Sequence, residues 1–156
     1  MRLALFQPDI AQNTGTLLRL GACLDLPIDI IEPCGFLFTD KGLKRAGMDY
    51  LEMADFKRHA SWDDFLNWRA EHSAEYGRII LLTTHATVAY TDFVFQKNDI
   101  ILMGRESAGV PEIVHQTADA RLLIPMNKNV RSINVALSAV MAVGEALRQT
   151  DSFPKI

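Results

Sequence analysis

The chain of 156 residues is 49% hydrophobic and 22% charged, with a net charge of −3, which fits one domain spanning residues 1–156 with a core of ordinary size. An acidic balance argues against a self-sufficient nucleic-acid binder, and apolar runs such as "RIILLT" and "DIILMG" fall far short of the ~20 residues of a membrane span. Cys23 and Cys34 are too few for a disulfide framework or a zinc site, and the N-terminus lacks a signal-peptide cleavage pattern, so a cytoplasmic protein with reduced thiols is expected.

In chain order, "RLALFQ" (residues 2–7) reads as a short strand stopped by Pro8. "NTGTLLRLGACLDL" (13–26) is broadly helical, with Asn13 or Thr14 as N-cap. "PIDIIEP" (27–33) alternates between prolines and reads as a strand. "GLKRAGMDY" predicts a short helix and "YLEMADF" (50–56) a weak strand. "SWDDFLNWRAEHS" (61–73) opens with a Ser-x-x-Asp capping pattern before helically spaced aromatic residues. "RIILLTT" (78–84) and "DIILMG" (99–104) are near-continuous apolar runs, suited to strands buried on both faces of a parallel sheet. Pro111 suits a first helical position, "ARLLIPM" (120–126) reads as a strand, and residues 132–150 form the last helix. The sum is an α/β domain with a mostly parallel sheet flanked by helices.

Ligands in such sheets bind beyond the carboxyl ends of the strands. Three strand ends here run into polar loops: "LLTTHAT", "LMGRESAGVPE" and "LLIPMNKNVRSIN". Together they are expected to form a ligand pocket, although each alone reads more readily as a turn. "GRESAG" is neither a Walker loop nor a GxGxxG fingerprint, and there is no GxSxG. The four histidines lack metal-ligand spacing, so no metal is expected. Arg19 stands among Leu17, Leu18 and Leu20, readable as a snorkelling surface residue or as a guanidinium placed for a phosphate. "KGLKRAG" and "KRH" are basic clusters that read as solvated faces or as a small patch for an anionic partner.

The segments "NTGTLLRLGA", "LMGRESAGVPE" and "IPMNKNVRSINVALSAVMAVGEALRQ" resemble the three signature motifs of SPOUT-class RNA ribose 2'-O-methyltransferases. "DIIEPCGF", "KRAGMDY" and "LLTT" support the likeness, which is strongest to the small single-domain subfamily that methylates the wobble nucleotide of tRNA. The resemblance implies a C-terminal deep trefoil knot, which no composition or periodicity would suggest. It also implies S-adenosyl-L-methionine as cofactor, S-adenosyl-L-homocysteine as product, a homodimer, and the anticodon loop of tRNA as partner. By the same motifs, Leu82, Thr83, Gly104, Glu106, Ile124, Met126, Ser132 and Asn134 would line the cofactor site, with Glu106 satisfying loop amides. Arg19 and Asn13 would be the catalytic residues, and Lys41, Lys44, Arg45 and Arg131 would contact RNA, with Lys57 and Arg58 weaker candidates. A guanidinium, with a pKa above ~12, is a poor general base, so Arg19 is better read as gripping a phosphate and lowering the hydroxyl pKa. Ala136, Ala139, Ala142 and Gly144 would allow close helix approach. Gly144 stands where relatives often carry tyrosine, and "GRESAG" departs from a "GPETRG"-like form. An enzyme acting on another RNA and a non-catalytic binding module remain as alternatives.

Overall fold

The structure, a computed structural model, describes residues 1–38 and 52–156. The predicted helix in "GLKRAGMDY", with Lys41, Lys44 and Arg45, lies outside the described residues. The chain runs β1 (Arg2–Phe6), α1 (Ala11–Leu24), β2 (Ile28–Ile31), β3 (Phe56–His59), α2 (Trp62–Glu71), β4 (Ile79–Leu82), β5 (Val88–Ala89), β6 (Ile100–Met103), α3 (Glu112–Thr117), β7 (Ala120–Leu123) and α4 (Val135–Thr150). The strands form one sheet in the order β3-β2-β1-β6-β4-β7-β5, with every neighbouring pair parallel.

Leu3, Ile101 and Ile80 lie side by side across β1, β6 and β4, and all are fully buried. Their neighbours Ala4, Leu102 and Leu81 point to the opposite face and are buried as well. This explains the unbroken apolar runs, because helices cover both faces. One face packs Leu17 and Leu18 of α1 with Ala139, Val143 and Leu147 of α4. The other packs Trp62 and Phe65 of α2 with Val114 of α3. Ala136, Ala139 and Ala142 are all buried in the chain's own core, so the close helix approach they allow is between α4 and α1 of one chain.

Element boundaries differ from expectation in four instructive places. Helix α1 begins two residues before Asn13, with Ile10 at its N-cap and no side-chain cap, because the Asn13 amide is engaged elsewhere. The strand expected at 50–56 lies instead at Phe56–His59, where register with β2 buries His59 beside Asp29. β5, only two residues long, has no pattern to read. Helix α4 starts at Val135, and Asn134 caps it by accepting hydrogen bonds from the Ala136 and Leu137 amides at 2.9 and 3.3 Å. The capping box of α2 forms as expected: Ser61 Oγ accepts from the Asp64 amide, and Asp64 Oδ2 accepts from the Ala60 amide.

A closed polar cluster sits under α2. Arg2 donates twice to Asp29, at 2.6 and 3.0 Å, and His59 Nε2 lies 2.8 Å from the same carboxylate. All three side chains are buried, and the guanidinium also stacks on Trp68 and Tyr76.

Candidate active site

Because the sheet is parallel, the ends of the adjacent strands β6, β4 and β7 open on one edge. The loops that follow them, with the start of α1, enclose a cleft of about 500 Å³. The loop after β6 depends on glycine. A Cβ on Gly104 would lie 2.9 Å from the Gly109 carbonyl carbon, and Gly109 turns the chain back at φ +64°. Arg105 and Gly109 close the turn with reciprocal backbone hydrogen bonds of 2.9 Å. The loop after β4 is held by the Thr83 amide donating to Leu122 O and by Thr83 Oγ1 accepting from the His85 amide.

A relay of side chains links the helix starts to this loop. Glu106 Oε2 accepts from the Asp9 amide at 2.7 Å, and Oε1 accepts from Asn13 Nδ2 at 3.1 Å. Since a carboxylate only accepts, Asn13 must turn its carbonyl toward Asn134, whose Nδ2 donates to it at 3.1 Å. The Asn134 carbonyl is then left to cap α4. Thus the polar loop before the apolar last helix is a tie between α4, α1 and the glycine loop. Asp9 adds a second tie. Its carboxylate accepts from Arg105 at 3.0 Å and from both the amide and the hydroxyl of Ser107. The Ser107 hydroxyl bond, opposed by burial and aided by Arg105, holds the Asp9 carboxyl below the usual carboxylate range.

Every cofactor residue expected from the sequence stands on the cleft wall: Leu82, Thr83, Gly104, Glu106, Ile124, Met126, Ser132 and Asn134, with Asn13 and Arg131. Arg19 is exposed on α1 and does not line the cleft of its own chain. Sequence reasoning passed over Asp9, beside the Pro8 that stops the first strand, and over His115 and Ser138 on the wall, whereas His85 lies in the "LLTTHAT" loop expected to form the pocket. The one signal for Asp9 was its place just before the first motif. Among the described residues, no three His, Cys, Asp or Glu side chains stand together as a metal site.

A parallel α/β sheet with three loops converging on a half-open cleft, sized for a nucleotide-like ligand and floored by bare glycine backbone, defines a class of ligand-binding α/β protein. The model of the SpoU rRNA Methylase family matches residues 1–144, and the chain belongs to that family. A tRNA (cytidine(34)-2'-O)-methyltransferase of Ancylobacter novellus is 55% identical, covering 99% of this chain and 96% of its own. The protein of the same name from Yersinia pestis is 37% identical, covering 96% and 93%. A structure solved for the 2-OH methylation of C/U34 on tRNA superposes with a TM-score of 0.86 at 37% identity, covering 95% and 94%. The SpoU methyltransferase AviRb of Streptomyces viridochromogenes, solved with its cofactor AdoMet, gives 0.84 at 22% identity, covering 96% of this chain and 60% of that one, and speaks to the fold alone. The fold is therefore the knotted α/β fold of SpoU-type methyltransferases.

Proposed function

We propose that this chain uses S-adenosyl-L-methionine to methylate the ribose 2'-hydroxyl of the wobble nucleotide, position 34, of tRNA, a cytidine or a modified uridine, in the cytoplasm and as a homodimer. The observation that carries this reading is the three-loop cleft itself, found in a chain with 55% identity over almost its whole length to a tRNA (cytidine(34)-2'-O)-methyltransferase.

The residues present fit that cofactor. Leu82, Met103, Ile124 and Met126 offer apolar surface to an adenine ring, Gly104 leaves backbone bare for close approach, and Thr83, Ser132 and Ser138 supply hydroxyls. When bound, the cofactor supplies an electrophilic methyl group on a sulfonium whose charge disappears on transfer. Asn13 and Asn134, fixed by the Glu106 relay, would orient the ribose at the cleft mouth. Arg19 would grip the phosphate beside the target ribose and lower the hydroxyl pKa electrostatically. Lys41, Lys44, Arg45 and Arg131 would hold further phosphates.

Dimerisation is supported by α4, which exposes Leu137, Val140 and Met141 along one stripe. Gly144 lies on the same side, with open space above its Cα. α1 packs along α4, so in a dimer built on this stripe the exposed Arg19 would serve the partner's cleft. Two chains would also pool basic groups that one acidic chain lacks.

The test is methyl transfer from labelled S-adenosyl-L-methionine to total tRNA of a strain lacking this gene, with nucleoside mapping. A 2'-O-methyl group at position 34 is expected. No incorporation by a chain that still binds cofactor would move the substrate to another RNA, as the rRNA in the family's description invites, or leave a silent binding module.

A further inference from the structure

We infer that Asp9 is a positioning residue for cofactor binding, acting through the loop 105–109; this rests on the cofactor reading proposed above. The carboxylate takes three hydrogen bonds from that loop: from Arg105 Nη2 and from the Ser107 amide on separate oxygens, and from Ser107 Oγ. The Asp9 amide meanwhile donates to Glu106, so one residue holds three consecutive loop positions, all of which line the cleft. Arg105 is further tied to Gln7 Oε1 at 3.5 Å, and Gln7 turns the chain out of β1 at φ +45°.

Asp9 is fixed from its other side as well. The Gly35 amide donates to Pro8 O at 2.9 Å, and a Cβ on Gly35 would fall 2.9 Å from Asp9 Cα and 3.0 Å from its Oδ1. The aspartate is thus pinned against the corner after β2 and reaches across to the corner after β6. Without its carboxylate, the backbone that turns at Gly104 and Gly109 keeps, among the described residues, its own two cross-turn hydrogen bonds, the grip of Glu106 and the long contact of Arg105 with Gln7. Glycine turns held so loosely visit many conformations, and a bound ligand must then supply the ordering free energy. Asp9 itself is not among the residues lining the cleft; it sets the shape of the wall.

The test compares wild type, Asp9→Asn, Ser107→Ala and an α2 surface control, Asp63→Asn. Titration calorimetry with S-adenosyl-L-homocysteine gives affinity, and melting without ligand gives stability. Asp9→Asn should weaken binding about tenfold and raise KM for S-adenosyl-L-methionine by a similar factor, with kcat within about twofold. Its melting temperature should stay close to that of the control. Ser107→Ala, on an exposed loop that the core does not need, should weaken binding about threefold, and the double variant should be no worse than Asp9→Asn alone. Affinity within twofold of wild type in Asp9→Asn would overturn the inference. So would affinity and melting temperature falling together while Ser107→Ala binds normally. Failure of the wild-type chain to bind would instead sink the cofactor reading, and this inference with it.

Discussion

The molecule holds two arginine–aspartate networks of similar geometry and opposite surroundings. Arg2, Asp29 and His59 are sealed under α2, with Asp29 and His59 fully buried. Arg105 and Asp9, with Ser107, Glu106, Asn13 and Asn134, stand at the cleft, where the Arg105 side chain is 38% exposed. The closed network ties β1, β2 and β3 to one another, and its polar atoms point inward. The open one ties the starts of α1 and α4 to a glycine loop, and its members other than Asp9 line a cavity. Desolvation makes the difference: a buried charge without its partner is costly, whereas a half-exposed one is rescued by water. The first network should therefore govern whether the chain folds, and the second what it binds once folded.

The largest effect expected is on stability. Asp29→Ala leaves the Arg2 guanidinium buried, among the described residues, with Tyr76 Oη at 3.4 Å and two aromatic faces, and should cost about 3–5 kcal/mol in denaturant unfolding. A loss below ~1 kcal/mol would erase the distinction between the networks. Next comes Arg19→Lys, which keeps the charge but loses the planar fork. Single-turnover methyl transfer should fall about a hundredfold with melting unchanged. A near-normal rate would remove Arg19 from the chemistry. Asn134→Ala sits between the classes, since the side chain both caps α4 and ties to Asn13. A stability loss of about 1 kcal/mol, with a larger loss of cofactor affinity, is expected. Loss of stability alone would reduce the relay to a helix cap.

How legible this was from the sequence follows the same division. The strands at 79–82 and 100–103 were plain because burial on both faces leaves nothing but apolar residues. Cleft residues such as Gly104 and Ser132 were reached through motif likeness, because no periodicity marks a loop. The closed network was missed, and of the open one motif likeness reached Asn13, Glu106 and Asn134 but not Asp9 or Arg105. Asp29 sits in "PIDIIEP" as an ordinary alternation, and His59 closes "KRH", which read as a solvated cluster. Their pairing depends on strand order, with β2 between β1 and β3, which local pattern does not carry. Asp9 and Arg105 are 96 residues apart and meet only because β1 and β6 are neighbours. The knot was reached through motif likeness alone, since it is a property of how the chain is threaded rather than of any segment.

Arg58→Gln is expected to do least, and for that reason isolates burial from geometry. Arg58 pairs with Glu32 at 2.5 Å, as short as the contact of Arg2 with Asp29, and lies over Phe38 at 4.7 Å. It stands on the edge strand β3, opposite Ile30, the residue after Asp29, but its side chain is 45% exposed. Water and salt screen such a pair, so the substitution should cost less than ~1 kcal/mol. A cost near that of Asp29→Ala would mean that short contacts, not desolvation, set the energies of both networks. The same variant sorts the basic residues. With its charge already matched by Glu32, Arg58 should leave tRNA affinity within about twofold and the slope of log K against log salt unchanged. A slope shallower by about 0.7–0.9 would make it a phosphate contact and extend the RNA surface along the edge of β3, away from the cleft.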